Sequence, residues 1–133
     1  MVLEDRLGEY GRLVGNAFQL IDDIIDIQST KDQSGKVAGT DLLAGVPTLP
    51  VLLLANHKDA ESQALFAKIS AGLEETDLKD VLGKLRAHQV MAESLEITHG
   101  WADRAKAALD PMPASSVKSA LIAFADAVVD RQG

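Results

Sequence analysis

Gly15–Asn16–Ala17–Phe18–Gln19–Leu20–Ile21–Asp22–Asp23–Ile24–Ile25–Asp26 sets three carboxylates among isoleucines, a leucine and a phenylalanine. Placed on a helix at about 100° per residue with Asp22 at the origin, Asp26 falls at about 40°, Gln19 at about 60° and Asp23 at about 100°. Gly15, at about 20°, leaves room above this acidic stripe. Ile27, Leu20, Ile24, Ala17, Ile21, Ile25 and Phe18 occupy the arc from roughly 140° to 320°, and a helix so widely apolar is expected to be buried. A carboxylate on a buried helix is costly unless it is paired or bound to metal, so the stripe is expected to face a wet cavity. Asp22 and Asp26 are one turn apart and spaced to reach one hard cation. Oxygen ligands of this kind suit magnesium that keeps waters or a substrate phosphate in its shell. A solvated acidic face fits the same arithmetic.

Upstream, Leu3, Leu7, Tyr10, Leu13, Val14, Ala17, Phe18, Ile21 and Ile25 recur at threes and fours, which predicts one helix from residue 2 to about residue 28. Gly8, Gly11 and Gly15 weaken it intrinsically, and their spacing is expected to permit close contact with another helix. No capping sequence precedes residue 2, from which a preceding segment is expected. Downstream, residues 29–46 are rich in turn formers and read as a long irregular loop, of the kind that is usually functional or disordered. Lys36, flanked by Gly35 and Gly39, reads from composition as a surface lysine, though it is also placed to fold back over a metal-held phosphate.

The rest of the chain predicts helices. Thr48 is expected to cap one from Leu49 to about Asn56, apolar all round and therefore core, with Pro50 tolerated in its first turn. Asp59 caps the next, Ala60 to Ile69, with Ala64, Leu65 and Phe66 inward and Ala71-Gly72 as its end. Another begins near Thr76 or Asp77, buries Leu78, Val81, Leu82 and Leu85, and breaks near His88. A long amphipathic helix from Gln89 to Leu109 ends at Asp110-Pro111-Met112-Pro113. Ser115 or Ser116 caps the last, with Val117, Leu121, Phe124, Ala125, Val128 and Val129 inside. With no alternating strand pattern, the fold class is all-α.

The 133 residues carry a formal net charge of −7, which argues against nucleic acid or an anionic membrane surface as a partner. A phosphorylated ligand is compatible with that charge, because a divalent cation reverses the local field. The chain has no cysteine, which excludes disulfides and zinc–sulfur sites and fits a cytoplasmic setting. Neither a signal peptide nor a transmembrane segment is legible. His57, His88 and His99 lack paired zinc spacing, the serines have no nucleophile context, and Trp101, Met91 and Met112 read as packing residues.

Phe18-Gln19 followed by Asp22-Asp23-Ile24-Ile25-Asp26 resembles the second aspartate-rich motif, FQxxDDxxD, of the trans-isoprenyl diphosphate synthases, or polyprenyl synthetases. The resemblance continues in order through Gly35-Lys36, Gly39, Asp41-Leu42, Gly45 and Thr48-Leu49-Pro50, and in outline to the end of the chain. It implies the C-terminal helices of the isoprenoid synthase bundle, a single partial domain over residues 1–133, and Mg2+-dependent condensation of isopentenyl diphosphate with an allylic prenyl diphosphate to a geranylgeranyl or longer product. By position it makes Asp22 and Asp26 magnesium ligands and gives Asp23 to the metal site or its water shell. Gln19 would orient the diphosphate or the carbocation, and Lys36 would contact the allylic diphosphate. Val46-Pro47 stands where many family members have a lysine after the glycine. The family's first DDxxD motif is absent from the chain, so the resemblance implies half of an active site, inactive alone. Its partner is then the remainder of a synthase or another copy, with self-association through apolar residues that the full bundle would bury. A non-catalytic helical subunit pairing with a longer synthase is the alternative.

Overall fold

The computed structural model describes residues 3–28 and 39–130. These form helices α1 (Leu3–Gln28), α2 (Thr40–Leu43), α3 (Leu49–Leu54), α4 (Ala60–Ser70), α5 (Glu75–Ala87), α6 (Val90–Ala108) and α7 (Ser116–Val129), with no strand among the described residues. The all-α expectation holds, and each helix long enough to show a period lies within a few residues of its predicted bounds. No helix among the described residues is long and apolar enough to cross a membrane.

The chain clusters into two compact units. One comprises the described part of residues 1–21 with 96–130. Its buried apolar residues are Tyr10, Leu13, Val14, Ala17 and Ile21 of α1, Ala102, Ala105 and Ala108 of α6, and Ala125, Val128 and Val129 of α7, together with Leu109 and Met112 between α6 and α7. The Tyr10 hydroxyl donates to the Leu121 carbonyl, and burial raises its pKa above the ordinary tyrosine value. Lys106 pairs with Asp126 at 2.7 Å and with Asp103 at 3.4 Å. Lys118 donates to the Met112 and Asp110 carbonyls, which satisfies the turn that Pro111 and Pro113 force. Ser115 is the N-cap of α7, its hydroxyl accepting the Lys118 N–H at 3.1 Å. Trp101 is half-buried beneath the Arg104 guanidinium, 4.5 Å from the ring centroid.

The other unit comprises the described part of residues 22–95. It buries Ile24, Ile27, Leu42, Val51, Leu54, Leu65, Val81, Leu82, Leu85, Val90 and Met91. Asp59 caps α4 through the Ser62 N–H at 3.0 Å, and Gly72, at φ +100°, ends that helix as the sequence predicts. At the start of α5 the cap moves to Glu74, where Asp77 Oδ2 accepts the Glu74 N–H at 3.3 Å.

Several sequence expectations are corrected. Residues 40–43 form a helical turn inside the stretch read as irregular. Thr48 stands at the N-cap of α3 in extended conformation, but its hydroxyl makes no capping bond. Proline at the second helical position removes one of the two N–H groups such a hydroxyl would accept. A Cβ added at Gly8, Gly11 or Gly15 would meet nothing within 4 Å, so the close helix contact expected of them is not made among the described residues. Phe18, Leu52, Val117 and Phe124, expected inside, are 46%, 54%, 61% and 56% exposed. Periodicity aligns such residues on one helix face without saying whether anything covers that face.

Candidate functional site

The three aspartates occupy the last two turns of α1, and the helix buries them unequally. Asp22 and Asp23 are half-buried, whereas Asp26 is 4% exposed. The wheel does not account for this order, since Asp23 at about 100° lies nearer Ile27 and Ile24 than Asp26 at about 40°. What closes over Asp26 comes from residues 39–41. The expectation that the whole stripe faces a wet cavity is thus corrected for Asp26. Gln19 lies one turn before Asp22 and is exposed.

The end of α1 is closed by partners distant in sequence. The helix has no basic residue in its last turn, and Arg86 of α5 supplies one, donating from Nε to the Ile27 carbonyl at 2.7 Å. The Gly39 N–H donates to the Asp26 carbonyl at 2.7 Å, and the Asp41 N–H donates to Asp26 Oδ2 at 3.3 Å. Gly39 makes this return at φ +83°, and a Cβ there would come 2.8 Å from Leu78 Cδ1. The chain following the loop is therefore pinned to the acidic turn. Lys36 and Gly35 lie outside the described residues.

Chemically, Asp22 and Asp23 offer carboxylate oxygens at the rim of an otherwise apolar helix, a donor type suited to a hard divalent cation. Among the described residues no cluster of three or more His, Cys, Asp or Glu side chains is arranged to hold a metal.

A second polar cluster lines a cleft of about 630 Å3 that contains no residue of the acidic helix. His88 Nδ1 accepts the Val90 N–H at 3.1 Å, which puts the ring proton on Nε2. That nitrogen lies 2.7 Å from Ser62 Oγ, whose own proton goes to Asp59 Oδ2 at 2.9 Å. The imidazole is thus a donor to the serine, so Ser62 is not activated as a nucleophile. The Ser62 amide and hydroxyl hold the Asp59 carboxyl below the usual range. His57 meets Glu93 at 2.9 Å and sets its ring edge-on to His88 at 4.8 Å, and the His57 and Gln89 bonds lower the Glu93 pKa. This cluster is not legible in the sequence, because its members come from two separate segments, residues 57–62 and 88–93. The donor directions make it a structural network, and the chemical signal remains at the acidic helix.

The Polyprenyl synthetase family profile matches residues 2–85. The chain is 36% identical over 130 residues to nonaprenyl diphosphate synthase of Mycobacterium tuberculosis, covering 97% of this chain and 39% of that protein. It is 37% identical over 129 residues to octaprenyl diphosphate synthase of Escherichia coli, covering 96% and 40%. Against heptaprenyl diphosphate synthase component 2 of Geobacillus stearothermophilus it is 32% identical over 116 residues, covering 87% and 36%. Its fold matches the crystal structure of geranylgeranyl pyrophosphate synthase from Corynebacterium glutamicum complexed with calcium and isoprenyl diphosphate, with a TM-score of 0.86 at 36% identity over 97% of this chain and 40% of that one. The chain thus spans about two fifths of the length of these relatives.

Proposed function

This chain belongs to the polyprenyl synthetase family, and from that premise we propose that it is the C-terminal portion of a prenyltransferase and carries its second metal and diphosphate half-site. The observation that carries this reading is the pair of half-buried carboxylates, Asp22 and Asp23, at the end of a helix that the Gly39–Asp41 turn and Arg86 hold in place. In the reaction, the allylic carbon–oxygen bond breaks and diphosphate leaves with the bonding electrons. The double bond of isopentenyl diphosphate captures the carbocation, and loss of a proton restores an alkene. Mg2+, when bound, neutralises negative charge as it grows on the departing diphosphate.

In this reading Asp22 is a direct ligand, and Asp23 a second ligand or a hydrogen-bond acceptor for metal-bound water. Gln19, exposed one turn earlier, orients diphosphate or the carbocation, and Lys36 contacts the allylic diphosphate. Substrates are an allylic prenyl diphosphate and isopentenyl diphosphate, and the product is geranylgeranyl diphosphate or longer. The isolated 133 residues lack a first DDxxD motif and are inactive alone. A second reading, a helical subunit that works with a separate synthase chain, is favoured by the similarity to a relative named as component 2 of a heptaprenyl synthase.

Amide spectra of the chain, titrated with Mg2+ and a bisphosphonate mimic of diphosphate, test the half-site. Shifts at Asp22, Asp23 and Lys36 are expected, and unmoved amides at saturating ligand would reduce the acidic turn to a structural element. Incubation with farnesyl diphosphate and isopentenyl diphosphate tests the other half of the proposal. No elongated product is expected, and a product from this chain alone would refute inactivity.

A further inference from the structure

The spacing of Asp26 gives it the same role as Asp22, but its surroundings differ. Asp26 is buried to 4% exposure, and one turn engages its main-chain carbonyl and one oxygen of its carboxylate, Oδ2. Its carbonyl accepts the Gly39 N–H at 2.7 Å and its carboxylate accepts the Asp41 N–H at 3.3 Å. Gly39 is the N-cap residue of α2, and a glycine has no side chain with which to cap. Asp41 is the second residue of that helix, so its N–H is one of the orphan donors at a helix start. A carboxylate fifteen residues upstream thus does the work that a local Ser, Thr or Asp ordinarily does.

We propose that Asp26 is a positioning residue: it latches the Gly39–Leu43 turn to the end of α1 and so keeps the helical turn that carries Asp22 and Asp23 in place. This rests on the half-site reading above for its function, and on the hydrogen bonds alone for its mechanism. The latch works from both ends. Gly39 can enter it because its positive φ costs glycine little, and the same turn keeps the final turn of α1 from unwinding. A carbonyl oxygen serves the Asp41 amide as a carboxylate does, so the role requires an acceptor and not a charge. Metal ligation would require the charge.

The chemical difference sets the test. Hydrogen exchange of the Asp41 and Gly39 amides is measured without metal in wild type, Asp26→Asn and Asp26→Ala, with Val81 and Leu85 reporting whether residues 22–95 stay folded. Affinity for Mn2+ is then measured by its relaxation effect on water protons in the same proteins and in Asp22→Asn. Asp26→Ala is expected to lose about tenfold of the Asp41 protection and to weaken Mn2+ binding, and Asp26→Asn to restore both to within about threefold of wild type. Asp22→Asn is expected to lose Mn2+ binding and keep the protection. Unchanged Asp41 protection in Asp26→Ala would overturn the latch. So would an Asp26→Asn protein that keeps its protection yet loses Mn2+ as fully as Asp22→Asn, since Asp26 would then be a ligand. Should Asp26→Ala unfold, Asp26→Asn decides alone: protection retained supports the latch and protection lost refutes it. If wild type binds no Mn2+, the half-site reading fails, and the exchange series still decides whether the latch exists.

Discussion

Gly39 and Gly11 show how one residue type carries opposite consequences at two positions. Gly39 sits at φ +83°, with the methyl termini of Leu78 and Leu82 at 2.8 and 3.2 Å from where a Cβ would stand. Gly39→Ala must therefore bear the left-handed penalty of about 1–2 kcal/mol and displace those methyls. Gly11 lies inside α1 on an exposed face, where a Cβ meets nothing within 4 Å. Gly11→Ala is expected to stabilise the chain by about 0.5–1 kcal/mol through helix propensity. Urea midpoints moving in opposite directions for the two variants would bear this out; equal shifts would refute it. Both glycines are legible as glycines, but the spacing of Gly8, Gly11 and Gly15 suggests packing that the described residues do not make. The requirement at Gly39 follows from a turn whose partners, Asp26 and Leu78, come from elsewhere in the chain.

At the scale of elements, helix ends decide more than helix interiors. The C-terminus of α1 is served by Arg86 from α5, whose Nε reaches the buried Ile27 carbonyl. Arg86→Ala should leave that acceptor without its bond and cost about 1–2 kcal/mol, read as a lowered urea midpoint. Lysine, a point donor on a flexible stem, should rescue it only in part. At the start of α4, the pKa of Asp59 is lowered by the Ser62 amide and hydroxyl. A depressed carboxyl contributes stability that is fully present above its unfolded pKa of about 3.9 and is lost as pH falls through the folded value. The stability advantage of wild type over Asp59→Asn is thus expected to be constant from about pH 5 upward and to shrink below about pH 4. Chemical denaturation at several pH values checks it, and a gap that widens on acidification would reverse the sign. Of these end contacts, the Asp59 cap was legible because donor and acceptor lie three residues apart. The Arg86 contact was not, its partners lying 59 positions apart, nor was α2, too short to show a period and capped from outside.

At the scale of the whole molecule, apolar residues outside the cores remain in view. Leu7 and Phe18 of α1 and Val117 and Phe124 of α7 are exposed, as is Leu52 of α3. Large exposed apolar side chains favour association, so light scattering is expected to show mass rising with concentration, and Phe124→Ser to reduce it. A monomer of constant mass over a hundredfold concentration range would contradict this. The local order of residues determined much about this protein by itself. Repeats at threes and fours specified the long helices, Gly72 and the prolines after Asp110 marked their ends, and Phe18-Gln19 through Asp26 with the residues that follow identified the family. These are legible because helical period, turn chemistry and motif order depend on neighbours along the chain. Tertiary structure alone decided that Asp26 is buried beneath the Asp41 amide while Asp22 and Asp23 stay half-buried, that His88 donates to Ser62, and that Phe18, Val117 and Phe124 face outward. Burial and hydrogen-bond direction depend on what the rest of the chain brings alongside, and no helical wheel contains that information.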